Sequence, residues 1–409
     1  MQTREAKKMG RGSQSNLELT IDGIVYDVTN FASKHPGGSV IRFLTGHDAS
    51  DAFHAFHGRS KKAKKYLATL ASHSSNHSTD PVLEDFSNLR KELKVEGFFE
   101  PSMAHITYRI IEVIGLFVGS AVGFYYGWYW SGIGLVALAQ GRCGWLQHEA
   151  GHYSLTGNIA VDRVLQVLIY NVGTGMSASW WRNQHNRHHA TPQKVGHDVD
   201  LETLPLVAFH ARIAERVRHP VVRAWLRMQA ILFAGPITLI VALSWAFVLH
   251  PQYVIRKRKW GELAAFAVRY AICGLVASET GLLSFVKGFL LSYTLASAYI
   301  FVLFAVSHTH KDVVEADVNV DWVRHAVNYT TNCSPSWFVN WLMSYLNFQI
   351  EHHLFPSMPQ FRHPLVAKRV QALCQKHDLV YDVRPLSSCL VATFSNLAAV
   401  GALDNKKAL

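Results

Sequence analysis

The chain has 409 residues, 49% hydrophobic and 17% charged, with a mean hydropathy of +0.07. That balance excludes a disordered tail, a coiled coil and a small disulfide scaffold. Five scattered cysteines, none in a CxxC pair, fit a reducing compartment, and the +11 net charge comes with no nucleic-acid module, so no nucleic-acid partner is expected.

Residues 1–16 are polar and basic, without the apolar core of a secretory signal, so internal segments must serve for membrane insertion. Residues 17–70 read as a small, soluble α+β head. Leu19 to Val28 alternates loosely around Asp22-Gly23, as a hairpin does. His35-Pro36-Gly37-Gly38 follows, and the Pro-Gly-Gly turn is suited to aim His35 at a planar ligand. His57 ends a short run rich in Phe and Ala, with His54 one turn before it. Two neutral imidazoles on opposite faces of a haem iron saturate it and leave electron transfer as its work. Residues 72–80 have a linker composition, small and polar.

Residues 113–141 carry no charge. The stretch 106–147 can hold two helices of about 20 residues, each enough to cross a bilayer core. A turn near Gly127–Gly132 would set Tyr125, Tyr126, Trp128, Tyr129 and Trp130 at headgroup level. Three further apolar stretches are Met228–Ile255, Leu263–Leu283 and Gly288–Val306. The first ends in Arg256-Lys257-Arg258-Lys259, which the positive-inside rule puts in the cytosol.

The histidine clusters are spaced for metal. His148-Glu149-Ala150-Gly151-His152 puts two imidazoles at i and i+4, on one helix face. His185, His188 and His189 stand at i, i+3 and i+4. Gln349, His352 and His353 repeat that spacing with Gln first, and His308-Thr309-His310 follows the last apolar stretch. Seven imidazoles in the three boxes exceed the ligand set of one zinc and suit two ions. If they share one centre they lie on one side of the membrane, so an even number of crossings separates His189 from His308. Met228–Ile255, which contains Pro236, is therefore expected to lie along the interface. The other two stretches then form a second hairpin, though Leu263–Leu283 carries Arg269 and Glu279. His148-Glu149-x-x-His152 also matches the HExxH motif of zinc proteases, in which Glu is the general base, so an intramembrane metalloprotease is the rival enzyme class.

These motifs together resemble the cytochrome b5-fused, front-end fatty-acyl desaturases. The resemblance rests on HPGG in the head, His148-Glu149-Ala150-Gly151-His152, Gln184-His185-Asn186-Arg187-His188-His189 and Gln349-Ile350-Glu351-His352-His353-Leu354-Phe355-Pro356, and begins near Leu17. It implies a multi-domain membrane protein: a cytochrome b5-like head (17–70), a linker and pre-membrane segment (71–100), an all-α desaturase body with about four crossing helices and a cytosolic histidine-rich cap (101–385), and a tail (386–409). It implies His35 and His57 as axial ligands of haem b, with His54 the weaker second candidate. It implies two iron ions held by His148, His152, His185, His188, His189, His352 and His353. His308 is a further ligand, His310 its less favoured neighbour, and Gln349 stands at a ligand position. Arg187 and Glu351 are candidates to orient imidazoles, and Trp180, Trp181, Tyr345 and Phe348 to line an acyl tunnel.

The implied reaction uses O2 and electrons from an NADH-dependent cytochrome b5 reductase. It places a cis double bond between an existing one and the carboxyl end of a polyunsaturated acyl-CoA or acyl-phospholipid, with Δ5 or Δ6 specificity. A long-chain-base desaturase of sphingolipids and a non-catalytic haem carrier are the alternatives. Lys406-Lys407-Ala408-Leu409 resembles a dilysine retrieval signal, which implies the endoplasmic-reticulum membrane with both termini cytosolic.

Overall fold

The computed structural model describes residues 16–75 and 80–403. The dilysine tail lies outside them. The chain separates into two compact units, Met1–Ser78 and Thr79–Leu409.

In the first unit, β1 (Glu18–Ile21) and β2 (Ile24–Asp27) pair antiparallel, Ile21 opposite Ile24. Asp22 and Gly23 both take positive φ, 51° and 76°. That pair of values makes a two-residue primed turn whose twist matches the strands, and Asp-Gly is a preferred sequence for it. Leu19, Ile21, Val28 and Ala49 form the small core. The helices α1 (Ser50–His57) and α2 (Lys61–Leu67) follow. Ser72–Ser74, which reads as linker, is β3 and pairs with β2, Val25 opposite His73. Its side chains are all exposed; backbone pairing to an open strand edge makes it a strand, and composition does not register that.

The second unit begins with α3 (Pro81–Val95). Asp80 caps it by accepting from Val82 N, and Pro81 occupies the first turn, where its missing N–H costs nothing. Val82, Phe86, Leu89 and Leu93 make one buried stripe at spacings of four, three and four. The stripe packs with α11 (Trp322–Asn328), α12 (Gln349–Leu354) and α13 (His363–Lys376) in one core.

α4 (Met103–Tyr125) and α5 (Tyr129–Gly151) form the expected hairpin. Gly127, at φ 75°, makes the turn, and Tyr125, Tyr126, Trp128, Tyr129 and Trp130 are all exposed there. The helices α6 (Ile159–Gln166) and α7 (Ala178–Ala190) follow. Then come α8 (Gln229–Arg256), α9 (Trp260–Thr280) and α10 (Leu282–Ala305). α8 is interrupted by π-helical turns at Phe233–Ile237 and Trp245–Leu249. Pro236 lies in the first of these, where its ring and missing N–H break the regular ladder. Gly281, at φ 80°, separates α9 from α10. A short parallel pair, β4 (Asn332–Cys333) with β5 (Val383–Arg384), and α14 (Leu386–Gly401) complete the unit.

Among the described residues, four helices are long and apolar enough to cross a membrane: α4, α8, α9 and α10. The number is the expected one, but the set differs. α8 qualifies with the highest hydropathy of the four, 2.2, whereas α5 does not qualify. The reason is local: α5 is buried throughout from Ala139 to Gly151 and carries Gln140, Arg142, Gln147, His148 and Glu149 against protein, not lipid. The charge of Arg269 in α9 is likewise met inside, by the carbonyls of Val172 and Gly173.

α5 and α10 approach closely because α5 is glycine-rich on that face. A Cβ at Gly141 would collide with the Tyr299 ring, and one at Gly144 would lie 2.9 Å from Ile300 Cδ1. Gly134 has open space around it. Gly141→Ala is expected to destabilise the second unit by about 1–3 kcal/mol through overpacking, read as a lower thermal midpoint of the purified protein. Gly134→Ala serves as the control and leaves the midpoint unchanged or slightly raised, since Ala is the better helix former where space is open.

Candidate metal centre

Four chain segments deliver the imidazoles. His148 and His152 end α5; His185, His188 and His189 lie on α7; His352 and His353 lie on α12; His308 sits in the turn after α10. They meet in two groups. Ligand atoms of His148, His152, His185, His189 and His352 all lie within 4.8 Å of one another, as do those of His188, His308 and His353. The groups adjoin, since the His189 and His353 rings stack at 4.2 Å. All eight of these histidines are thus brought together.

The donor atoms fit cations. His189 Nε2 lies 3.0 Å from both His185 Nε2 and His352 Nε2. His148 Nε2 and His152 Nε2 are buried without a hydrogen-bond partner. Converging lone pairs with nothing to bind are costly in a protein interior unless an ion occupies their focus. Burial pushes the His152 and His308 imidazoles down to about 3, so both are neutral donors near neutral pH.

The far sides of several rings are held. His188 Nδ1 donates to the buried Asp198 carboxylate at 3.0 Å, with Asp200 at 3.4 Å. Burial lowers the His188 pKa, but the two carboxylates outweigh it and raise the value to about 9. His308 Nδ1 faces the Tyr329 carbonyl at 3.4 Å. His148 Nδ1 lies 2.9 Å from the Gln360 amide, whose oxygen has no partner. Exchanging that amide's oxygen and nitrogen lets Gln360 accept from His148 Nδ1–H, leaving Nε2 for an ion. Spacing within the boxes gave no sign of Asp198 or Gln360, because each comes from a loop that folds back on its histidine. The only available signal was a carboxylate ten residues beyond His188, in Gly196-His197-Asp198-Val199-Asp200.

Other expectations resolve individually. His310 pairs with Thr331 Oγ1 at 3.2 Å and stands outside both groups. Glu351 orients no imidazole; it accepts from Tyr381 Oη and Asn332 Nδ2 and so ties α12 to β4. Glu149 is engaged by Gln360 N at 3.1 Å, His105 at 3.4 Å and Arg109 at 3.7 Å. A carboxylate held in that network is not free to activate a water, which removes the general base of the protease reading.

A cavity of about 610 Å³ reaches these rings. Its wall includes His148, His185, His188, His308, His352 and His353, together with Gln349 and Arg187. Along α10 it is lined by Tyr293, Ala296, Ile300 and Phe304, one stripe rising about 16 Å at 1.5 Å per residue. Trp245 and Val241 of α8 form part of the facing wall. Trp180 and Trp181 line the cavity as expected, while Tyr345 and Phe348 do not; the chain turns at Ser344 and Tyr345, both at positive φ, and Tyr345 packs near His105 instead.

In the head, the rings of His35 and His57 lie with centroids 6.0 Å apart and planes at 88°. The Gly38 carbonyl lies 3.3 Å from His35 Nδ1, and Gly38 has φ 75°, which favours glycine there. Burial pushes the His57 imidazole down to about 4 and lowers that of His35, so both are neutral donors, the form that binds haem iron. His54 is taken by Asp22 at 2.9 Å.

Residues 123–385 match the family model described as fatty acid desaturase, and residues 5–72 match that of the cytochrome b5-like heme/steroid binding domain. The chain belongs to the fatty acid desaturase family. Its fused head match begins at residue 5, ahead of Leu17, where recognisable motifs begin. The desaturase is 52% identical over 394 residues to an acyl-lipid (8-3)-desaturase of Rebecca salina, covering 95% of this chain and 93% of that protein. It is 42% identical to an acyl-lipid (8-3)-desaturase of a Thraustochytrium species, covering 95% and 94%. An acyl-lipid (9-3)-desaturase of Physcomitrium patens is 29% identical, covering 90% and 72%.

Two outcomes follow for the desaturase. Asp198→Asn removes the charge that holds His188, and metal retention against a chelator is expected to fall about 10–100-fold. His57→Ala is expected to abolish the haem absorbance of a six-coordinate centre and His54→Ala to leave it in place, as a visible spectrum of the purified protein reads directly.

Proposed function

We propose that this desaturase is a front-end enzyme that inserts a cis double bond between an existing one and the carboxyl end of a polyunsaturated acyl chain. The observation that carries the reading is the convergence of eight imidazoles, six of them on the wall of a long apolar cavity. The relatives' printed name, acyl-lipid (8-3)-desaturase, supports lipid-borne acyl chains and a new bond three carbons nearer the carboxyl than position 8. For this chain that makes the Δ5 form of the Δ5-or-Δ6 expectation the one to test.

His148, His152, His185, His189 and His352 are proposed to hold one iron, and His188, His308 and His353 the other. His35 and His57 are proposed to hold haem b. Bound iron supplies the oxidising power from O2 that an unactivated methylene C–H bond demands, with haem as the source of its electrons. In balance, one O2, two electrons, two protons and two vicinal hydrogens of the chain yield one double bond and two waters. The protein's residues do the rest. Phe304 and Ile300 exclude water beside the reacting carbons, and the α10 stripe holds the chain extended so that one carbon pair meets the imidazole groups. Asp198, Gln360 and the Tyr329 carbonyl keep rings oriented through Nδ1. Gln349 lines the cavity beside them and is proposed to contact the acyl chain.

The remaining expectations are part of this proposal: a head over 17–70, to which β3 adds Ser72–Ser74, a linker and pre-membrane segment from there to 100, a desaturase body to 385, and a tail beyond it. Multi-pass insertion in the endoplasmic reticulum with the histidines cytosolic, and an NADH-dependent reductase refilling the haem, complete the proposal. Because α8, α9 and α10 are all apolar enough to cross while His188 and His308 share one group, it requires that one of these three helices does not cross.

Yeast expressing the chain and fed C20 polyunsaturated acids is expected to accumulate the Δ5 product in phospholipid before acyl-CoA. A product at Δ6 or elsewhere overturns the regiospecificity, and first appearance on CoA overturns the carrier. Purified protein is expected to hold about three irons per chain, two of them non-haem. One iron per chain favours a haem carrier.

A further inference from the structure

His363 is the first residue of α13, is fully buried, and completes a hydrogen bond with neither ring nitrogen. A buried imidazole with both nitrogens unmet is costly, and native structures rarely leave one so without water. Its ring lies 5.8 Å from that of His352, inclined at 56°. His352 has an unmet nitrogen of its own: Nε2 faces His189 at 3.0 Å, while the buried Nδ1 has no partner. The Phe355 carbonyl lies beside the His363 ring. Three residues earlier, Gln360 already meets His148 Nδ1. The segment from Gln360 to His363 therefore runs behind two boxes at once.

The hydrogen-bond directions have one consistent solution. If His352 offers Nε2 to an ion, its Nδ1 carries the proton and must donate. A neutral His363 has one bare nitrogen and one N–H. One water between the rings accepts from His352 and donates to the bare nitrogen, and the His363 N–H then points to the Phe355 carbonyl. Two polar partners are enough to hold such a water.

We propose that His363 is a positioning residue for the metal centre, fixing the tautomer and orientation of His352 through a single buried water. This rests on the reading of the imidazole groups as a metal centre. It assigns a role to a histidine outside all three boxes, with no helical spacing to mark it.

The test uses the full-length protein with haem bound. His363→Phe removes both nitrogens at similar size, and His363→Gln restores a donor and an acceptor. Non-haem iron retention against a chelator is expected to fall about 10–100-fold in the Phe variant and to recover most of the way in the Gln variant. The visible spectrum of cobalt-substituted protein shifts in the Phe variant alone. Haem absorbance and the thermal midpoint report folding. Wild-type retention and spectrum in His363→Phe overturn the proposal, as does equal loss in both variants. A high-resolution map of the metal-bound wild-type protein tests it without substitution: an ordered water between the two rings supports it, and its absence overturns it. Wild-type protein without non-haem iron sinks the metal-centre reading itself, a different result from failure of the variants alone.

Discussion

Eight imidazoles in a water-poor interior are unfavourable unless each lone pair has an ion and each N–H has an acceptor. Much of the second unit answers that demand. Four segments that are distant in sequence must end at the same depth, so α5, α7, α12 and the turn after α10 all stop at the histidines. Asp198, Gln360 and the Tyr329 carbonyl arrive from loops to hold the outer nitrogens. The same demand explains the burial of Glu149 with Arg109 and His105: a carboxylate beside the buried His148 has to be neutralised by partners of its own.

The apolar helices provide depth as well as anchorage. Close approach of α5 to α10 at Gly141 and Gly144 brings His148 to the top of the α10 stripe. The break in α8 around Pro236 leaves Ile237 and Val241 on the cavity wall. A cavity bordered by imidazoles where α5, α7 and α12 end and by side chains of membrane-type helices along α10 accepts a long apolar chain and exposes one stretch of it to chemistry. The head has its own smaller version of this logic, with two neutral histidines whose ring centroids lie 6.0 Å apart and a carboxylate removing the third from competition.

Much of the site was legible because helical periodicity is local. Spacings of i, i+3 and i+4 put His185, His188 and His189 on adjoining faces of one helix before any tertiary contact is known. The hairpin turn at Asp22-Gly23 and the aromatic belt around Gly127 were legible for the same reason, since each depends on a few neighbouring residues. Tertiary contacts decided the features that the sequence did not foretell. β3 is polar and exposed, and only the free edge of β2 makes it a strand. α5 has modest hydropathy because its second half faces protein, and Glu351 serves Asn332 and Tyr381, which are 19 and 30 residues away.

The sequence by itself determined the clustered imidazoles, the pairs that share a helix face, the long apolar helices and the His35 and His57 pair in the head, because all of these follow from short-range geometry and composition. Tertiary structure alone decided which histidines share a group, that His310 stands apart while His308 joins, and which loop residue stands behind each ring. Those outcomes depend on how separate helices stop and pack against one another, and the spacing of residues along one helix carries no record of its neighbours.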